Sequence, residues 1–104
     1  MVKYNVRYTE SAEFDLIDII HYIAVELNEP EAAFNLADNI YTFIGSLSSM
    51  PYRYALVNEE RLAVLGYRKL NIKNYLVFFT IDEEKQIVYV ERILYARRDW
   101  LNIL

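Results

Sequence analysis

Basic side chains crowd the last third of the chain, among them Arg68, Lys69, Lys73, Arg92, Arg97 and Arg98. Tyr67, Tyr75, Tyr89 and Tyr95 are interleaved among them. Positive charge can hold a phosphate backbone while aromatic faces stack on bases, so the pattern fits contact with nucleic acid. A twisted sheet with a charged, solvated face accounts for the same residues, and composition leaves both readings open. Other chemistry is poorly supplied. Without cysteine there is no disulfide framework, thiolate zinc site or thiol nucleophile. The single His21 excludes any mechanism that needs two imidazoles, and its place between apolar helical rows suits a boundary residue. Asp15 and Asp18 lie three apart, but no histidine or further carboxylate is spaced to complete a metal site. Only Gly45 and Gly66 are present, so no glycine loop cradles a phosphate. No metal and no cofactor is expected.

The elements that must position these residues can be read from periodicity. Residues 75–81 and 86–95 are runs of β-branched and aromatic residues flanking the polar stretch 82–85, which predicts a hairpin. The first run is apolar on both faces: Tyr75, Val77, Phe79 and Ile81 on one, Leu76 and Phe78 on the other. Such a strand lies centrally in a sheet. In the second run, alternation puts Val88, Val90 and Leu94 on one face, with Ile87, Tyr89 and Ile93 on the other. Residues 2–8 alternate as a half-buried strand. Thr9 can cap a helix over 10–27, whose stripe is Ala12, Leu16, Ile19, Ile20, Ile23 and Leu27. Pro30 opens a second helix carrying Ala33, Leu36, Ala37, Ile40, Phe43, Ile44 and Leu47. It fades at 46–49, and Met50-Pro51 ends it. The short connector predicts an antiparallel helical hairpin. Residues 52–61 read as a loop, and 62–72 as a strand bent at Gly66. The tail from Ala96 can form a short helix tucking Trp100, Ile103 and Leu104 onto the core.

At 104 residues the chain is one domain, 1–104, large enough to bury a core unaided. No apolar run approaches a membrane span and the first residues do not resemble a signal peptide, so a soluble cytoplasmic protein without membrane association is expected. The net charge of −4 is unevenly spread. Residues 1–50 hold two bases and eight acids, whereas residues 51–104 hold nine bases and seven acids. An acidic helical half and a basic sheet half follow.

The stretches Y-R-K-L-N-I-K-N-Y-L-V-F-F-T-I-D from Tyr67 and V-Y-V-E-R-I-L-Y-A-R-R-D-W from Val88 resemble the C-terminal half of the RelE/ParE superfamily of bacterial toxins. The start, Y-N-V-R-Y-T-E-S-A-E-F-D-L-I-D-I-I-H-Y-I from Tyr4, is similar to theirs as well. The resemblance implies an α+β fold of β-α-α-β-β-β order, with a helical hairpin on one face of a twisted antiparallel sheet. It implies a toxin of a type II toxin–antitoxin module, of the plasmid-stabilisation kind, neutralised by a cognate antitoxin whose C-terminal segment wraps it. The isolated chain should then expose an apolar groove along the hairpin or a free sheet edge, or hide it by forming a homodimer.

Superfamily members divide by target. ParE-like toxins poison DNA gyrase; RelE-like toxins cut messenger RNA in the ribosomal A site with arginine, lysine and tyrosine side chains. In the nucleases the central strand commonly begins tyrosine-arginine, where this chain has Asn74-Tyr75. Trp100 stands where a nuclease often has tyrosine. The sequence type is thus closer to ParE. In the RelE-like alternative, a metal-independent endoribonuclease, Arg68, Lys73, Arg97 and Arg98 would bind and polarise the phosphate, and Tyr75 or Tyr95 would transfer the proton. A third reading is a module that binds an antitoxin but has lost toxicity.

Overall fold

A computed structural model describes residues 3–104. Val2, assigned by alternation to the first strand, lies outside the described residues. The elements are β1 (Asn5–Tyr8), α1 (Glu10–His21), α2 (Pro30–Gly45), α3 (Glu60–Val64), β2 (Arg68–Ile72), β3 (Tyr75–Asp82), β4 (Ile87–Tyr95) and α4 (Trp100–Ile103). Among the described residues no helix is long and apolar enough to cross a membrane.

Thr9 caps α1 as its side chain predicts, its hydroxyl accepting from the Ala12 amide at 3.1 Å. The helix continues past His21, but Tyr22–Glu26 winds as a π-helix, with the Leu27 amide donating to the Tyr22 carbonyl at 3.0 Å. The wider turn rotates the apolar stripe away from the sheet. Leu27, expected in that stripe, is therefore exposed, while Ile20 and Ile23 still pack on the core. Asn28, with φ of 52°, then ends the helix in the left-handed conformation that asparagine tolerates. Pro30 opens α2 and Ala33, Leu36, Ile40 and Ile44 are buried from it.

The sheet order is β1-β4-β3-β2. β2, β3 and β4 are antiparallel, but β1 joins β4 in parallel, so the sheet is mixed rather than wholly antiparallel. Everything between β1 and β4 serves as the crossover that a parallel pair requires. Ala12, Leu16, Leu36, Ile40 and Ile44 pack with Val77, Phe79, Val88 and Val90 on one face of the sheet. Both helix stripes thus cover the same face.

Strict alternation fails on β4. Phe79 pairs with Val90 and Phe78 with Arg92, leaving Glu91 as the extra residue of a β-bulge. Beyond it the parity reverses: Ile93, not Leu94, joins Val88 and Val90 beneath the helices. Leu94 instead packs on the other face with Leu76, Phe78, Val57 and Leu62. The tail covers this second core with Trp100, Ile103 and Leu104. The Trp100 ring lies 5.2 Å from that of Phe78.

The region from Tyr52 is more structured than expected. Leu56 bridges to Arg68, and Val57 is buried. The strand predicted over 62–72 begins only at Arg68; before it, α3 forms because the Glu59 carboxylate accepts from the Arg61 and Leu62 amides at 3.2 and 3.0 Å. Gly66, at φ of 85°, turns the chain from α3 towards β2.

The bulge is where α1 is fastened. Asp15 accepts from Arg92 Nε at 2.7 Å and Nη2 at 2.9 Å, and from the Ile93 amide at 3.0 Å. The Thr9 hydroxyl donates to the Glu91 carbonyl at 2.9 Å. We expect Asp15→Ala to lower stability by about 2–3 kcal/mol, because it strands a partly buried guanidinium and a backbone donor; the urea midpoint measures it. A second expectation concerns alkali. Burial, and then Tyr41, push the Tyr8 phenol up to about 12 from 10.0. Its contribution is fully present below the unfolded value and is lost as pH rises through the folded one. Stability should therefore fall between those two pH values, and Tyr8→Phe should remove part of the fall.

Candidate functional site

The β2–β3 turn brings most of the basic and aromatic candidates together. Tyr75 and Tyr95 are directly paired across β3 and β4. Their rings meet edge to face at 5.7 Å. Just beyond, the Ala96 amide donates to Asn74 O at 2.8 Å and the Arg98 amide to Tyr95 O at 3.0 Å. Those bonds fold the start of the tail against the turn that carries Lys73. Lys73, Tyr75, Tyr95, Arg97 and Arg98 thus share one end of the sheet.

Arg68 does not join them. It starts β2, roughly 13 Å along the strand from Ile72 at about 3.3 Å per residue. Its Nη1 donates to Tyr54 O at 2.6 Å, and its guanidinium lies 5.0 Å from the centre of the Tyr52 ring. Lys69 and Arg92 are engaged as well: Lys69 Nζ sits 5.5 Å over the Trp100 ring, and Arg92 pairs with Asp15. Of Arg68, Lys69, Lys73, Arg92, Arg97 and Arg98, the side chains of Lys73, Arg97 and Arg98 are exposed and make no hydrogen bond or ion pair with another described residue. Tyr67 and Tyr89 also lie apart, bordering a shallow groove with Asp82, Glu83 and Glu91. Its negative charge is unsuited to a phosphate.

One wall of a groove of about 760 Å³ is formed by Tyr75, Tyr95 and Arg98. Asp18, Tyr22, Leu27 and Glu29, from the end of the first helix and the approach to α2, form the other. Burial, then Tyr95 and Tyr22, raise the Tyr75 pKa above its usual value. The phenol, protonated at neutral pH in any case, can donate a hydrogen bond and is moved further from service as a base. Among the described residues no group of three or more histidine, cysteine or acidic side chains could hold a metal ion.

A second groove, of about 720 Å³, runs between α1 and α2. Leu16, Ile17, Ile20, Val25, Ala37 and Tyr41 supply its apolar lining, with Glu13 and His21 the only ionisable groups besides its tyrosines. Ile17, Val25 and Tyr41 are 61, 58 and 56% exposed. Ile17 lies outside the stripe that the sequence predicts for α1. The signal was present, since apolar residues at 14, 16, 17, 19 and 20 span more than the single stripe needed to cover a sheet.

Two helices on this mixed sheet define a RelE/ParE-like α+β fold. The chain superposes on a chain of the chromosomal ParDE toxin–antitoxin system from P. aeruginosa with a TM-score of 0.72 and 21% identity, covering 93% of this chain and all of that one. A chain of the toxin–antitoxin complex RelBE2 from Mycobacterium tuberculosis gives 0.65 at 26% identity, covering 92% and 95%. The archaeal RelE–RelB complex from Pyrococcus horikoshii gives 0.53 at 15%, covering 94% and 99%. No curated protein sequence matches. Residues 6–100 match the family described as ParE toxin of type II toxin–antitoxin system, parDE, and the chain belongs to that family. It is a toxin of the type II toxin–antitoxin class.

The contacts separate the basic residues experimentally. Replacing Arg97 and Arg98 together by glutamine should change stability by less than about 0.5 kcal/mol, as for other unpartnered surface groups. Arg68→Ala should lose about 1–2 kcal/mol, since it removes a charge-assisted hydrogen bond and a ring contact. Chemical denaturation of the two variants measures the difference.

Proposed function

We propose that this toxin acts on DNA gyrase and is held inactive by a cognate antitoxin seated in the α1–α2 groove. The observation that carries the target is what surrounds Tyr75. A nuclease without histidine pairs must stabilise the developing charge with several fixed cations. At this end of the sheet Lys73, Arg97 and Arg98 are available, while Arg68 is spent on Tyr54 and Tyr52. Tyr75, one of the two tyrosines expected to move the proton, is shifted further from neutrality. Trp100, in the nuclease tyrosine's region, packs on Phe78. An exposed cationic corner beside an aromatic groove fits a surface that grips a partner protein. The exposed apolar groove of the helical hairpin supports the antitoxin, as does membership of the ParE family.

The second reading, a ribosome-dependent endonuclease, is favoured by likeness to a chain of a RelBE complex at 26% identity. It assigns phosphate binding to Lys73, Arg97 and Arg98, with Tyr75 or Tyr95 transferring the proton. Purified gyrase and purified ribosomes programmed with messenger RNA decide between the two. We expect inhibition of supercoiling, no transcript cleavage, and at least about a ten-fold loss of inhibition in the Arg97→Gln, Arg98→Gln double variant. Transcript cleavage by the unaltered chain would overturn the gyrase assignment. Absence of growth inhibition on induction would favour a module that only binds an antitoxin. Growth should recover when the cognate antitoxin is co-expressed, and Ile17→Gln with Val25→Gln should weaken that rescue without reducing toxicity.

A further inference from the structure

The helical hairpin has an unusual charge pattern. Between Arg7 and Arg53 the chain contains no lysine or arginine, but it contains eight carboxylates. Only Asp15 is paired with a base among the described residues. Glu13 lines the α1–α2 groove, and helical spacing puts Glu10 one turn before it on the same wall. On the facing helix Ala37 and Tyr41 line the groove, and helical spacing puts the exposed Asp38 beside them, three residues before Tyr41. The floor is apolar, with exposed Ile17 and Val25. The wall from Glu13 to Val25 is ~18 Å long at about 1.5 Å per residue, enough for three turns of a bound helix.

We infer that the groove receives an amphipathic helix whose apolar stripe is flanked by lysine and arginine. This deepens, and rests on, the antitoxin reading: it states the chemistry of the antitoxin segment that sits there. An apolar stripe fills the floor, and the flanking cations meet carboxylates that have no base of their own. The same charges oppose other occupants. A second copy of the hairpin would set acid against acid, and an anionic lipid surface would be repelled.

Two synthetic amphipathic peptides with one shared leucine-isoleucine stripe test the inference. One carries lysine at every flanking position, the other glutamate. Fluorescence anisotropy with the full chain at about 50 mM salt should show at least a ten-fold preference for the lysine peptide, shrinking at about 500 mM as charges are screened. Ile17→Gln with Val25→Gln should weaken the lysine peptide several-fold. Glu13→Lys with Asp38→Lys should reverse the preference; both positions are exposed, and circular dichroism confirms that the variants fold. Equal binding of the two peptides, or preference for glutamate, would overturn the charge rule while leaving the groove as the seat. If neither peptide binds, or the apolar variant binds as well as the parent, the seat itself is refuted. A dimer dispersed by Ile17→Gln in sedimentation would show a second copy to be the occupant and overturn the proposal.

Discussion

The fold turns on one carboxylate. Asp15 takes two hydrogen bonds from the Arg92 guanidinium and one from the Ile93 backbone, at the point where Glu91 interrupts the β3–β4 ladder. Charge-assisted, bidentate geometry makes this a strong contact, and side-chain exposures of 13% for Asp15 and 27% for Arg92 moderate its desolvation cost. Its larger effect is on register. The bulge sends Ile93 under the helices and Leu94 to the opposite face, so a single extra residue creates two cores from one strand. Without that reversal, Leu94 would leave the group on which the tail packs.

The second core governs where the cationic corner sits. Trp100 rests on Phe78, and Arg61 donates to the Leu101 carbonyl at 3.0 Å and to the Leu104 carbonyl at 3.3 Å. The tail can leave β4 only by turning beside Asn74, and Arg97 and Arg98 lie on that turn. The groove between α1 and α2 and this corner are two different surfaces. One is apolar with a negative rim; the other is aromatic and carries unpaired positive charge.

Much of this architecture was legible before any coordinates. Two helices, the hairpin, the doubly apolar β3 and the packing tail follow from period, caps and prolines. The direction of β1 was not, because alternation reports which side of a strand is buried and says nothing of its neighbour's polarity. Nor was the bulge: one inserted residue leaves composition unchanged while inverting every later side chain. α3 was hidden by strand-like leucines and valines, although Glu59 as a cap and Gly66 as a stop marked its ends. At the candidate site the sequence named six residues, and the structure brings five of them to one end of the sheet: Lys73, Tyr75, Tyr95, Arg97 and Arg98. It could not reveal that Arg68 is taken by Tyr54 O, a contact made across fourteen residues through an irregular loop.

The pairing of β1 with β4 also dictates an order of events in synthesis. Thr9 reaches Glu91 across 82 positions, and Asp15 reaches Arg92 across 77. Loop closure over such spans comes late, after local hairpins have formed. On a translating ribosome β1 must wait, unpaired, until β4 has followed it. Throughout that interval the apolar side of the helices has no sheet to rest on. Maturation of this fold is consequently a late step, which cannot be completed before β4 has left the ribosome.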